Sequence, residues 1–145
     1  MTILVPVDMK KNQKILKKID DKEVLLLCIV DSNVQEIIAE ITTEKGWLGD
    51  KFTTSFKNAL NKQYERLLDR WMHNAETALK KMNKKVESRK EKGNFKEIIT
   101  KYVDEQNPDK LLFTYKKGYN PYWETLKPVI NELCKKLKVT CVIEN

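Results

Sequence analysis

Seven consecutive apolar residues, Val24-Leu25-Leu26-Leu27-Cys28-Ile29-Val30, close on Asp31 and constrain this chain more than any other feature. A strand with one wet face alternates apolar and polar residues, whereas one that is apolar throughout needs cover on both sides. The run falls far short of the roughly 20 residues that span a bilayer. It predicts the interior of a sheet with helices on both faces. Two shorter runs repeat the pattern: Ile3 to Val7, ended by Asp8, and Leu111-Leu112-Phe113 within Lys110 to Tyr115. Pro6 has no N–H for a ladder, which places it near the end of its strand. Val86 to Arg89 reads as a short charged edge strand, and Val139-Thr140-Cys141-Val142-Ile143 as the last strand.

Helical spacing fills the intervals. Met9, Ile15, Leu16 and Ile19 approximate one helix face, closed by Asp20-Asp21, and Val34, Ile37, Ile38 and Ile41 another, followed by a loop at Gly46-Trp47-Leu48-Gly49. From Phe52 an apolar stripe runs Phe56, Leu60, Tyr64, Leu67, Trp71, Ala75, Leu79 and Met82, which predicts a long helix with one buried face. Gly93-Asn94 turns the chain into a helix carrying Phe95, Ile98, Ile99, Tyr102 and Val103, stopped by Asn107-Pro108-Asp109. Trp123, Leu126, Val129, Ile130, Leu133 and Leu137 resume the period, with a break expected just before Pro128, at the first position of the last helix. Strands alternating with helices imply parallel pairing through right-handed crossovers. The expectation is one domain over residues 1–145: a three-layer, doubly wound α/β fold with a mostly parallel five-stranded sheet.

Charge and cysteine usage narrow the function classes. The 145-residue chain carries 28 basic and 21 acidic residues, a net charge of +7. Lysines gather around Lys80 to Lys92, but Glu87 and Glu91 interrupt them and no aromatic interleaves, so a solvated helix end is favoured over a nucleic-acid surface. The start lacks a basic region followed by an apolar stretch, so no signal peptide is expected, and the cytoplasm is the default location. Cys28, Cys134 and Cys141 are odd in number, lie in apolar patterns and have no C-x-x-C spacing, which suits buried reduced thiols rather than a disulfide or zinc site. No phosphate-binding loop, dinucleotide fingerprint or nucleophile elbow is present, and His73 lies off the apolar stripe. No catalytic constellation emerges, and a non-enzymatic role is expected.

The order of elements resembles the universal stress protein family over nearly the whole chain. The residues that carry the resemblance are Pro6-Val7-Asp8 closing the first strand and Leu27-Cys28-Ile29-Val30-Asp31 closing the second. After the long helix come Gly93-Asn94-Phe95 and Asp109-Lys110-Leu111-Leu112-Phe113. The resemblance implies an adenine nucleotide alpha hydrolase-like sheet of order 3-2-1-4-5 with a crevice between strands one and four. It also implies a part in stress response, ATP in that crevice in many members, and a homodimer through the last strand. Asp8 and Ile29 occupy positions that contact the nucleoside in ATP-binding relatives. Asp8 as a ribose acceptor and Asp8 as a helix cap both remain open.

The phosphate motif departs from the family. Its pattern, G-x-x-G, nine residues, then G-S or G-T, falls without a gap on Thr114, Lys117, Lys127 and Pro128. None is glycine or serine, and Pro128 has no N–H to offer a phosphate. Gly118 lies one residue from a motif position, and Lys116, Lys117 and Lys127 are available as point charges. Tyr119, Tyr122 and Trp123 lie in the right loop either to plug the crevice or to pack onto the helix, and both alternatives stay open. The leading reading is a universal stress protein-like regulatory or interaction module that does not hold ATP tightly, with no cofactor, no metal, no membrane contact and an unknown protein partner. The alternative is an adenine-nucleotide binder with altered phosphate recognition through Asp8, Ile29, Thr114, Lys117, Gly118 and Lys127. A basic nucleic-acid binder ranks third.

Overall fold

The computed structural model describes residues 1–8, 13–42, 50–118 and 120–144. Within them the elements run β1 (Thr2–Pro6), α1 (Gln13–Leu16), β2 (Glu23–Val30), α2 (Ser32–Thr42), α3 (Asp50–Lys81), β3 (Lys85–Lys92), α4 (Phe95–Gln106), β4 (Lys110–Thr114), α5 (Pro121–Lys136) and β5 (Thr140–Glu144). All neighbouring strands pair in parallel, in the order β3-β2-β1-β4-β5. The chain reverses its direction of winding between β1 and β4, which makes their carboxyl ends the switch point of the sheet.

The apolar run of β2 is covered on both sides, as its composition requires. Leu25, Leu27 and Ile29 join Ile3, Val5, Leu111 and Phe113 in a cluster with Phe95 and Ile99 of α4 and with Trp123, Leu126, Ile130 and Leu133 of α5. Val24 and Leu26 point the other way, packing with Leu4 and Leu112 against Ile15, Leu16, Ile19, Ala75 and Leu79. Cys28 packs on that side too, against Tyr64 and Leu68. Pro6 closes β1 opposite Thr114, where its missing N–H costs no ladder bond that the strand end needs.

The edge strand β3 is longer than the sequence pattern indicated. It pairs with β2 over eight positions, from Lys85 to Lys92. With few apolar side chains, it docks through polar contacts: Lys90 Nζ lies 3.0 Å from Asp69, Lys92 Nζ 3.0 Å from Glu65, and Ser88 Oγ donates to Glu76 at 3.2 Å. These partners come from α3, so the helix that buries Leu79 against the core also neutralises the basic edge.

Several expectations are corrected. The buried stripe of α3 passes through Tyr64, Leu68, Ala75 and Leu79, while Leu67 is 39% exposed, because the true periodicity carries Leu68 and not Leu67 onto the sheet. On α2, Ile37 is exposed and Ile38 and Ala39 are buried. Helix α5 runs unbroken through Pro128, which sits on the exposed side, where solvent satisfies the carbonyl that lost its partner. Cys134 and Cys141 are not reduced thiols: they form a disulfide with Cα atoms 5.5 Å apart, because β5 returns beside the end of α5. Cys28 is the free cysteine and is buried. Met9, the loop Gly46 to Gly49 and Tyr119 lie outside the described residues, as do the side chains of Ile41 and Phe52.

Candidate functional site

Two carboxylates follow the ends of the neighbouring strands β1 and β2, and each has a different employment. Asp31 follows β2, is 8% exposed and serves two helices at once. Its Oδ1 accepts from the N–H groups of Asn33 (2.9 Å) and Val34 (3.3 Å) at the start of α2, and its Oδ2 accepts from Phe95 N–H of α4 at 2.9 Å. Two helix N-termini are thereby tied to one strand end. Asp8 follows β1 and holds the β4–α5 loop. Its Oδ2 accepts from Lys116 N–H at 2.9 Å and from the Asn120 side-chain amide. Among the described residues these bonds tie the β4–α5 loop to the end of β1, a role neither of the two open readings of Asp8 contained.

The described amides at the start of α5 are already engaged. Asn120 caps α5, its Oδ1 accepting from Trp123 N–H at 3.1 Å and its carbonyl from Glu124 N–H at 3.0 Å. Pro121 begins the helix and has no N–H. Thr114 is buried, with its carbonyl accepting from Val7 N–H at 2.7 Å. Gly118 is left-handed, φ +102°, and no atom comes within 4 Å of where a Cβ would stand, so its role is to turn the chain and not to admit a close neighbour. Lys117 is exposed, and Lys127 lies exposed on α5, six residues past its start.

Aromatic rings fill the space beside Ile29 at the strand ends. Tyr64 of α3 stacks on Tyr122 of α5 with centroids 5.2 Å apart, and Tyr115 stacks on Trp123 at 3.9 Å. Tyr64 OH donates to the carbonyl of Ile29 at 3.4 Å, and Tyr122 OH to Gln35 Oε1 at 3.3 Å. What space remains among Val7, Ile29, Asp31, Tyr64, Phe95 and Tyr122 is about 10 Å³, room for one water at most. Burial pushes the Tyr64 hydroxyl far above its ordinary value, with the neighbouring Tyr122, Cys28, Asp8 and Asp31 adding in the same direction, so the ring stays neutral. Burial likewise pushes the Cys28 thiol up to about 12.

On the other side of Tyr64 a cavity of about 420 Å³ opens between α3 and the β4–α5 loop. Leu60, Leu67, Tyr64, Pro121 and Tyr122 give it apolar walls, and Asp8, Lys116 and Lys117 border it. Of the residues singled out from sequence, this cavity gathers Asp8 and Lys117. Ile29 lies behind the tyrosine wall, while Thr114, Gly118 and Lys127 line neither space. Tyr122 was legible as a plug. Tyr64 was not: it reads as one more core residue of a long stripe, and only the crossing of α3 over the strand ends brings it to Ile29.

No protein-family model matches the chain, and no curated protein does. Among solved structures it is similar to the hypothetical protein MJ0577, the subject of a structure-based assignment of biochemical function, at 19% identity and a TM-score of 0.60. The alignment covers 99% of this chain and 95% of that one. The hypothetical protein PH0823 is similar at 18% identity and a TM-score of 0.58, with the same coverage. At these identities the likeness shows the shared fold.

Proposed function

We propose that this chain, which has a universal stress protein-like α/β fold, works as a non-enzymatic regulatory or interaction module that does not hold ATP in its switch-point crevice. The observation that carries the reading is the Tyr64–Tyr122 stack, which leaves about 10 Å³ beside Ile29. An adenine ring has no place there unless the buried Tyr64 and the half-buried Tyr122 move, and Tyr64 would surrender its bond to the Ile29 carbonyl. The triphosphate meets a second obstacle, since the Lys116, Trp123 and Glu124 amides already have acceptors. Among the described residues no buried side-chain nitrogen or oxygen lacks a partner.

Isothermal titration with ATP, ADP, AMP and adenosine tests this directly. No saturable heat is expected from any of them, and nucleotide co-purifying with the protein would overturn the reading. The adenine-nucleotide alternative draws its support from the cavity beside Asp8, and the same titration decides it.

A homodimer through β5 belongs to the proposal. The strand pairs only with β4, and its Ile143 is 37% exposed. Light scattering at micromolar concentration is expected to give twice the chain mass. Nucleic acid remains the least favoured partner, because Lys80, Lys90 and Lys92 pair with Glu76, Asp69 and Glu65. Retention on DNA or RNA that falls steeply with salt would restore it. Among the described residues no helix is long and apolar enough to cross a membrane.

A further inference from the structure

The cavity between α3 and the β4–α5 loop is of a size that holds small molecules, about 420 Å³. Its walls are hydrocarbon and aromatic, and Leu67 stands 39% exposed in them, although a helix of this length has ample polar residues to place there. Besides Gln63, the polar groups at its border divide into two kinds. Asp8 Oδ2 and the Asn120 side chain are engaged with each other and with the chain. Lys116 and Lys117 are exposed, and neither ammonium has an ion-pair partner among the described residues. The charged residues described at the border are therefore two ammonium groups and one carboxylate whose Oδ2 already accepts two bonds, a net positive rim on an apolar pocket.

We infer that this cavity binds a hydrophobic monocarboxylate, its hydrocarbon body on Leu60, Leu67 and the Tyr64–Tyr122 wall and its carboxylate between Lys116 and Lys117. The inference rests on the reading that the adenine side of the same wall is closed. A lysine is a flexible point charge and not a fork, so the site reads a negative head without fixing its geometry. The apolar walls in turn reject a guest whose body is as polar as a sugar phosphate. Selectivity then lies in two features together, one negative charge and an apolar tail.

The test is calorimetric titration of the full chain with sodium decanoate below its micelle concentration, with decanol as the neutral counterpart. One saturable site per chain is expected. Replacing both lysines, Lys116→Ala with Lys117→Ala, should weaken decanoate about tenfold or more. Leu67→Glu, at an exposed position, should abolish the heat while thermal melting stays within a few degrees of the parent. Decanol should bind at least about tenfold more weakly than decanoate. Absence of saturable heat with decanoate overturns the inference, as does decanol binding equally well, or affinity unchanged in the lysine variant. Should Leu67→Glu fail to fold, the lysine pair and the decanol comparison decide alone. ATP titrated by itself separates the two readings. Heat from both ATP and decanoate removes the exclusion of nucleotide but keeps the carboxylate site, whereas heat from neither keeps the exclusion and removes the site.

Discussion

Asp8 and Asp31 end adjacent strands of one sheet, two residues beyond β1 and one beyond β2, yet the fold uses them oppositely. Asp31 is enclosed and holds the starts of α2 and α4 through three backbone N–H groups. Asp8 lies at the wall of an open cavity and holds a loop. The difference follows from what arrives above each strand end. Over β2 two helix N-termini converge, and four orphan amides at each favour a carboxylate. Over β1, among the described residues, the β4–α5 loop and α3 leave a cavity between them. Tyr64 stands between them, lining the closed side with Asp31 and the open side with Asp8. A strand-terminal aspartate is thus not in itself a ligand group, and its neighbours decide whether it builds or borders a site.

The sharpest test of this contrast is Asp31→Ala. It strips the acceptor from three N–H groups, one of them buried, and should cost about 3 kcal/mol, or roughly 10 °C in melting temperature. Asp31→Asn keeps one carbonyl acceptor and should recover part of that loss. Asp8→Ala removes bonds that water can replace and should cost about 1 kcal/mol. Equal losses at the two positions, read by denaturant melts, would break the comparison.

Alkaline pH probes the wall between them. The folded chain holds the Cys28 proton up to about 12, while an unfolded thiol releases it near 8.5, so stability is complete below the lower value and declines as pH rises toward the higher. The loss should be just under about 1 kcal/mol at pH 9, and Cys28→Ala should remove that part of the slope. Glu132 has the opposite sign. Hydrogen bonds from Lys136 and Lys96 hold its pKa down to about 2, so its contribution is present above the ordinary carboxylate range and fades as pH falls toward 2. The smallest expected effect is that of Tyr64→Phe. Losing a 3.4 Å bond to Ile29 should cost about 0.5 kcal/mol and leave the crevice closed, since the ring and not the hydroxyl fills it.

How much of this could be read beforehand varied with the range of the interaction. Val24–Val30 declared a doubly covered strand, and Pro6, Asn94 and Pro108 marked element ends, because those signals are local. The phosphate motif was equally legible in its loss, with side chains at Thr114 and Lys117 where glycine would be needed. The candidate site was only half legible. Asp8, Lys117 and Tyr122 were in view, but the partner of Tyr122 lies 58 residues upstream, on a helix whose buried stripe the sequence pattern put on Leu67 and the structure puts on Leu68. Pro128 misled because a proline's cost depends on which side of the helix faces water. Cys134 and Cys141 misled because pairing needs two Cα atoms brought together, and spacing along the chain does not report that distance.

By itself, the amino-acid order settled that strands and helices alternate, that the central strands are covered on both faces, and that the positions of the family's phosphate motif hold no glycine. Those follow from side-chain polarity and backbone freedom, properties each residue carries with it. Tertiary structure alone decided that Tyr64 closes one side of the crevice, that Leu67 opens onto the other, and that Asp8 latches a loop. Those depend on where a 32-residue helix crosses the strand ends, and a shift of one residue in its phase would exchange wall for cavity.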